Sequence, residues 1–179
     1  LTALAALPFA ARAEPIDPAT ADDIAPGDVV KRNVAAIRAH HELLNKGDVA
    51  GAVLSFAVDT RNHGVPVGRK GLTRVLTDIY TTFPDWRMEI VGLDAVGDDV
   101  IVRCIVSGTH KGVGKIPVNG GLLVGLPPTG KAFKVQHIHW YTLKDGLIVE
   151  HRANRDDIGM MQELGLLPAV KRYDLPSHG

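Results

Sequence analysis

The chain has 179 residues, enough for one domain with its own core and too few for two full-sized ones. Lys plus Arg and Asp plus Glu number 20 each, so no excess of positive charge marks a nucleic-acid-binding face. The single cysteine, Cys104, excludes an internal disulfide, and the hydrophobic share of 45% is that of an ordinary globular protein.

Leu1 to Ala10 is an apolar, alanine-rich run followed by Ala11-Arg12-Ala13. This is the pattern of a signal-peptide core with a small-x-small cleavage site, and it predicts a signal remnant over 1–13 and a periplasmic or secreted protein. An apolar tail or short helix is the other reading. Ten apolar residues are too few to cross a bilayer, no later stretch is long enough, and no membrane partner is expected. A linker rich in Pro, Asp and Ala follows over 14–28.

From about Val29, Val30, Val34, Ile37, His41 and Leu44 recur at helical spacing, and Asn45-Lys46-Gly47 ends the helix with Gly47 as its left-handed cap. Asp48 can cap a short second helix carrying Val53, Leu54 and Ala57. Val58 to Gly68 reads as a loop holding Asp59, Arg61, Asn62 and His63. A third helix carries Leu72, Val75, Leu76, Ile79, Tyr80 and Phe83 on one side and stops before Pro84.

Beyond Pro84 the pattern is that of strands: Trp86–Ala95, Val100–Ser107, Phe133–Leu143 and Leu147–Asn154. Lys111 to Gly130 holds six glycines and three prolines, a long loop and a candidate lid. A short helix over Asp156–Leu164 closes the domain, which spans 29–168 with a tail at 169–179. Helices followed by an antiparallel meander predict an α+β fold.

The Lys144-Asp145-Gly146 turn sets which side chains face inward. A two-residue turn pairs Lys144 with Leu147; a three-residue turn pairs Leu143 with Leu147. The three-residue turn separates polar from apolar residues better. It puts Phe133, Val135, His137, His139, Tyr141 and Leu143 on one face with Leu147, Val149, His151 and Ala153. His139 then stands opposite His151 and His137 opposite Ala153. Three imidazoles on an apolar face suit proton transfer near neutral pH, whereas any one of them alone reads first as a buried, hydrogen-bonded histidine. Ile138 and Trp140 fall on the outer face, where an apolar patch predicts a homodimer.

The run Asn33–Leu167 resembles the SnoaL-like polyketide cyclases, or ester cyclases, of the NTF2-like superfamily. The resemblance rests on Leu44-Asn45-Lys46-Gly47-Asp48, Phe83-Pro84-Asp85, Gly108-Thr109-His110-Lys111-Gly112 and Pro127-Pro128-Thr129-Gly130-Lys131. Ile138-His139, Asp145-Gly146, Glu150-His151 and Gln162-Glu163-Leu164-Gly165 complete it. It implies a cone of helices against a strongly curved antiparallel sheet that encloses a pocket. It also implies an intramolecular aldol closure of a polyketide ester, with no metal or organic cofactor and with a histidine and an aspartate exchanging protons. The family histidine falls on His139.

The family's Trp-Asp after Glu-His is Arg152-Ala153 in this chain. The carboxylate position is therefore alanine, and Asp156 is the nearest alternative, either aimed into the pocket or capping the last helix. The residues then expected at the chemistry are His139, His151 and Asp156, with His63, His137, Tyr80, Phe83, Trp86 and Tyr141 against a small-molecule substrate. Three readings stay open: a cofactor-free acid–base enzyme (cyclase, isomerase, dehydratase or hydrolase), an exported small-ligand binder without catalysis, and a three-histidine zinc site on His137, His139 and His151.

Overall fold

The computed structural model describes residues 26–117 and 121–168. The expected signal segment, the linker through residue 25 and the tail at 169–179 lie outside the described residues. The elements are α1 (Pro26–Asn45), α2 (Val49–Leu54), β1 (Phe56–Asn62), β2 (Val65–Pro66), α3 (Gly68–Thr82), β3 (Arg87–Val96), β4 (Asp99–Thr109), β5 (Ala132–Lys144), β6 (Leu147–Arg155) and α4 (Asp157–Glu163). Helix α1 takes up the last residues of the expected linker, with Pro26 in its first turn, where the missing N–H leaves no helical bond unmade.

The first helix ends as its sequence requires. Gly47 is left-handed (φ 68°), its N–H bonds the Leu44 carbonyl at 2.8 Å, and Asp48 N–H reaches the Leu43 carbonyl at 3.0 Å. This double closure satisfies two of the helix's terminal carbonyls. Asp48 then accepts the Gly51 N–H at 2.8 Å and starts α2. Ala57, expected on that helix, belongs to β1.

The six strands form one open sheet in the order β2-β1-β6-β5-β4-β3. All neighbours are antiparallel except β1 and β6, which run parallel. The fold is α+β as expected, but the sheet is mixed, and the segment read as a loop over Val58–Gly68 contains a strand and a half. The alternation that marks a strand fails there for a physical reason. Only Phe56 and Thr60 are buried, Val58 is 72% exposed, and the register with β6 shifts between Phe56 and Arg61.

The β5–β6 hairpin takes the two-residue turn. Lys144 pairs with Leu147, and Asp145 (φ 52°) and Gly146 (φ 77°) are both left-handed, the geometry an Asp-Gly pair favours. A bulge follows at once: Leu143 faces Ile148 while Thr142 faces Glu150, so Val149 is the extra residue. Tyr141 therefore stands opposite His151, His139 opposite Ala153, and His137 opposite Arg155. The expected pairings of His139 with His151 and His137 with Ala153 are displaced by two residues. The tight turn and the bulge each reverse the facing, so together they still bring His151 to the side of His137 and His139. The price of the tight turn falls on its neighbours: Ile148 is 1% exposed and Leu147 38%, the reverse of the expected order.

Phe133, Val135, His137, His139, Tyr141 and Leu143 are all buried on the inner face of β5. Against that face lie α1, which packs on β3 and β4, and α3, which packs on β1. Cys104 is fully buried within the core, and burial pushes its thiol up to about 12, which makes it a small inert hydrophobe.

Candidate active site

A cavity of about 350 Å³ lies between the helices and the inner face of the sheet, within the size range of small-molecule sites. Its apolar wall comes from α3, whose Leu72, Val75, Leu76 and Ile79 share one side of the helix, with Leu44 of α1 and Met88 of β3. Its polar wall is the sheet: His137, His139 and Tyr141 from β5, His151 and Arg155 from β6, and Asn62 and His63 from the end of β1. The long loop after β4 adds Ile116 and Pro117.

That loop is tied down. Asp78 of α3, 7% exposed, accepts the N–H groups of Lys115 and Ile116 at 3.0 Å each. Lys111 and Gly112 donate to the Thr82 carbonyl at 3.0 and 3.1 Å. Gly112 passes so close to α3 that a Cβ there would sit 2.0 Å from the Thr81 carbonyl oxygen.

The imidazoles form a chain. Asn62 Oδ1 faces His151 Nδ1 at 3.0 Å, and His151 Nε2 faces His139 Nδ1 at 2.9 Å. With the amide oxygen as acceptor, His151 carries its proton on Nδ1 and accepts on Nε2, so His139 carries its proton on Nδ1. His139 Nε2 is then a lone pair, buried and without a protein partner. The rings of His139 and His151 stack at 5.2 Å, and Tyr141 stacks on His151 at 4.9 Å. Tyr141 is held from α1 by His41, whose Nε2 lies 3.1 Å from the phenol oxygen.

His63 sits in a left-handed turn (φ 50°) between β1 and β2. Its N–H donates to the His151 carbonyl at 2.9 Å, and its Nε2 accepts the Ala153 N–H at 3.2 Å. Glu150 steadies the turn by accepting the Gly64 N–H at 2.8 Å while pairing with Arg61 and Arg152 on the outer side. His137 has both ring nitrogens buried and unpartnered.

Burial keeps these rings uncharged. It pushes His151 and His40 down to about 3 and His41 and His137 to about 4, and it holds His139 well below the usual imidazole value. Neighbouring imidazoles and Arg155 add to the depression, and Asp156 opposes it at His137. At neutral pH these five rings thus offer lone pairs and N–H donors rather than imidazolium charges.

Of the residues expected from sequence, His139, His151, His137, His63, Trp86 and Tyr141 line the cavity, and three do not. Asp156 caps α4, accepting the Gly159 N–H at 2.8 Å. Tyr80 lies on the flank of α3 that meets α1, and its hydroxyl donates to the Leu44 carbonyl. Phe83, 3% exposed, has left the helix and packs as core between Trp86 and Phe133. Among the described residues no set of three His, Cys, Asp or Glu side chains is arranged to hold a metal ion.

Sequence reasoning missed His40, Asn62 and Arg155. Arg155 follows from the alternation His151, Ala153, Arg155 carried one step further. His40 belongs to the buried stripe Asn33, Ile37, His40 and Leu44, which runs beside the one chosen. Asn62 carries no such signal, because it lies in the strand that was read as a loop.

A helix-covered sheet with a histidine-walled cavity defines a small-molecule pocket protein. The comparisons make this specific. Residues 34–164 match the SnoaL-like polyketide cyclase family, and the chain belongs to it. It is 30% identical over 107 residues to nogalonic acid methyl ester cyclase of Streptomyces nogalater, covering 59% of this chain and 73% of that one. Among solved structures, IdmH of Streptomyces antibioticus is similar at 28% identity with a TM-score of 0.60, over 74% of this chain and 98% of that one. AclR of Streptomyces galilaeus superposes with a TM-score of 0.66 at 21% identity, over 80% and 87% of the two chains, and so shows the shared fold. The family acts on small molecules with cyclase- and isomerase-type chemistry, and no described helix is long and apolar enough to cross a membrane.

Proposed function

We propose that this protein removes a proton from a carbon next to a carbonyl in a small, largely apolar substrate, and that the resulting enolate closes a ring by aldol addition. His139 Nε2 is the base. His139 becomes the imidazolium, its Nδ1 proton shared with His151, and it returns the proton to the aldol alkoxide, so the site ends each cycle as it began. The observation that carries this reading is the bare, buried lone pair of His139, oriented by His151 and Asn62. Its low proton affinity in the empty cavity rises when an enolate forms beside it, because the anion supplies the charge partner that burial removed.

The test is His139→Asn assayed on whichever of two compounds the wild-type protein turns over: nogalonic acid methyl ester, the compound named for the relative, or the corresponding free acid. Turnover is expected to fall by about a hundredfold or more while the thermal midpoint changes little. Undiminished turnover would remove His139 from the reaction.

One observation favours the second reading, a binder without catalysis: among the described residues none of the side chains lining the cavity is a carboxylate, and Ala153 stands opposite His139. Tight binding of such esters with no turnover in wild-type protein would select it. We also propose export, supported by the apolar run and small-x-small site at 1–13 and tested by N-terminal sequencing of protein from a cell envelope fraction.

A homodimer through the outer face is proposed as well. Ile101, Ile138 and Trp140 are exposed side by side on that face. Glu89 and Asp94 at its β3 margin can meet Arg103 and Arg152 of a second copy across a two-fold axis. Trp140→Glu is expected to convert a dimer to a monomer in light scattering.

A further inference from the structure

At the polar end of the cavity a guanidinium stands beside an unpartnered imidazole. Arg155 is the one permanently charged side chain among the described residues lining it, and the imidazoles around it are neutral. The guanidinium is placed by β6, where Arg155 pairs with His137 across the hairpin and so shares its inward face. Asp157, the first residue of α4, holds the Nε side at 3.5 Å. Nε makes no hydrogen bond, and among the described residues no bond or ion pair to the two terminal nitrogens is present, so their edge, on a side chain 27% exposed, is open to a ligand. Asp156, next in the chain, caps α4, and its charge also reaches the His137 ring.

Beside this edge lies His137, 2% exposed, with neither ring nitrogen bonded. Its ring is 5.6 Å from that of His139 and 6.5 Å from that of Trp86. A buried polar group without a partner is costly, so His137 calls for one from whatever fills the cavity, and Arg155 supplies a charge beside it. A fork of N–H donors fits the two oxygens of a carboxylate, and a neutral imidazole beside it can donate one more bond. The opposite wall, Leu72, Val75, Leu76 and Ile79, asks for an apolar body.

We infer that Arg155, with His137, is a carboxylate subsite, and that the substrate is a free acid: an apolar carbonyl compound whose carboxylate is seated on Arg155 while its enolisable carbon faces His139. This rests on the acid–base reading for the role of His139 but not for the binding of the acid. It sets the substrate class apart from the methyl esters for which the relative is named. Arg155 thereby determines specificity by seating the carboxylate.

The test is calorimetric binding of 2-naphthoate and of its methyl ester, two probes of one shape that differ in charge. Wild-type protein is expected to bind the acid at least about tenfold more tightly than the ester, as a charge-assisted fork should give. Arg155→Met should bring the two affinities within about twofold by weakening the acid alone, and Arg155→Lys should keep part of the preference because a point charge remains. The Lys variant also serves if the Met variant does not fold. The preference should be flat from about pH 6 to about pH 8.5, since the guanidinium stays charged throughout.

Equal affinities in the wild type, a preference that survives Arg155→Met, or one that disappears as an imidazole would deprotonate each overturns the assignment. His139→Asn separates this inference from the proposed reaction. Loss of turnover with the acid preference intact supports both, whereas full turnover with the preference intact supports the subsite and rejects the base.

Discussion

Asn62 decides which nitrogen of His139 is free. Its amide oxygen takes the Nδ1 proton of His151, and the preference passes through His151 Nε2 to His139. Asn62→Leu removes that acceptor and lets both rings change tautomer. It is expected to lower kcat about ten- to a hundredfold with KM nearly unchanged, as found when the partner that orients an imidazole is lost. A matching rise in KM would mean that Asn62 contacts the substrate instead. Ala153→Asp is the complementary experiment. The hairpin register puts the new carboxylate opposite His139, not opposite His137 as the sequence implied. There it would raise the imidazole's proton affinity and is expected to increase cyclisation, read as product formed per minute at saturating substrate. A variant that only unfolds would show Ala153, 9% exposed, to be packing and nothing more.

The helices and the long antiparallel strands were legible because their hydrophobic periods survive in the fold, and the Gly47 cap and the stop at Pro84 follow from local chemistry. What was not legible was decided by tertiary contacts. Strand β1 exists because β6 lends it hydrogen bonds, so its own residues need not alternate. The hairpin combines a tight turn with a bulge, and either of two registers separates polar from apolar residues nearly as well. Asp156 had two readings, and the one that satisfies a helix N-terminus won.

The loop after β4 is the element whose fate could least be read from composition. Glycine and proline content suggested freedom, whereas Asp78 and Thr82 fasten it to α3. Asp78→Ala leaves two backbone donors without their acceptor. It is expected to lower stability by about 1–3 kcal/mol and to speed amide exchange at Lys115 and Ile116 in hydrogen-exchange mass spectrometry. Unchanged exchange there would show that the loop is held by Leu123 and its apolar neighbours alone.

Taken together, the buried imidazoles make the protein acid-sensitive. His40, His41, His137 and His151 take up protons near 6.5 in the unfolded chain but only near 3 to 4 in the fold. Between those values the unfolded state binds more protons, so stability falls as pH drops below about 6.5 and is fully present above about 7.5. Each ring contributes on the order of 1 kcal/mol per pH unit, and several together rival the net stability of a domain. Thermal midpoints should therefore fall steeply between about pH 6.5 and about pH 4.5, with more than two protons taken up on unfolding. A flat profile would mean that water reaches the rings.

Among the described residues the sheet does not close on itself, and β3 is left at its margin with no strand on one side, where only the Asn45 side chain bonds the Met88 N–H and carbonyl. A second chain could in principle zip onto such a border and begin a fibre. Two details stand in the way: the register of β3 with β4 slips between Ile90 and Gly92, and Arg87, Glu89 and Asp94 place charges of both signs along the strand. The kink spoils the straight template, and the charges penalise a mismatched visitor. Growth by strand addition is thus discouraged, and concentrated solutions of the folded protein should stay clear of amyloid-like aggregates.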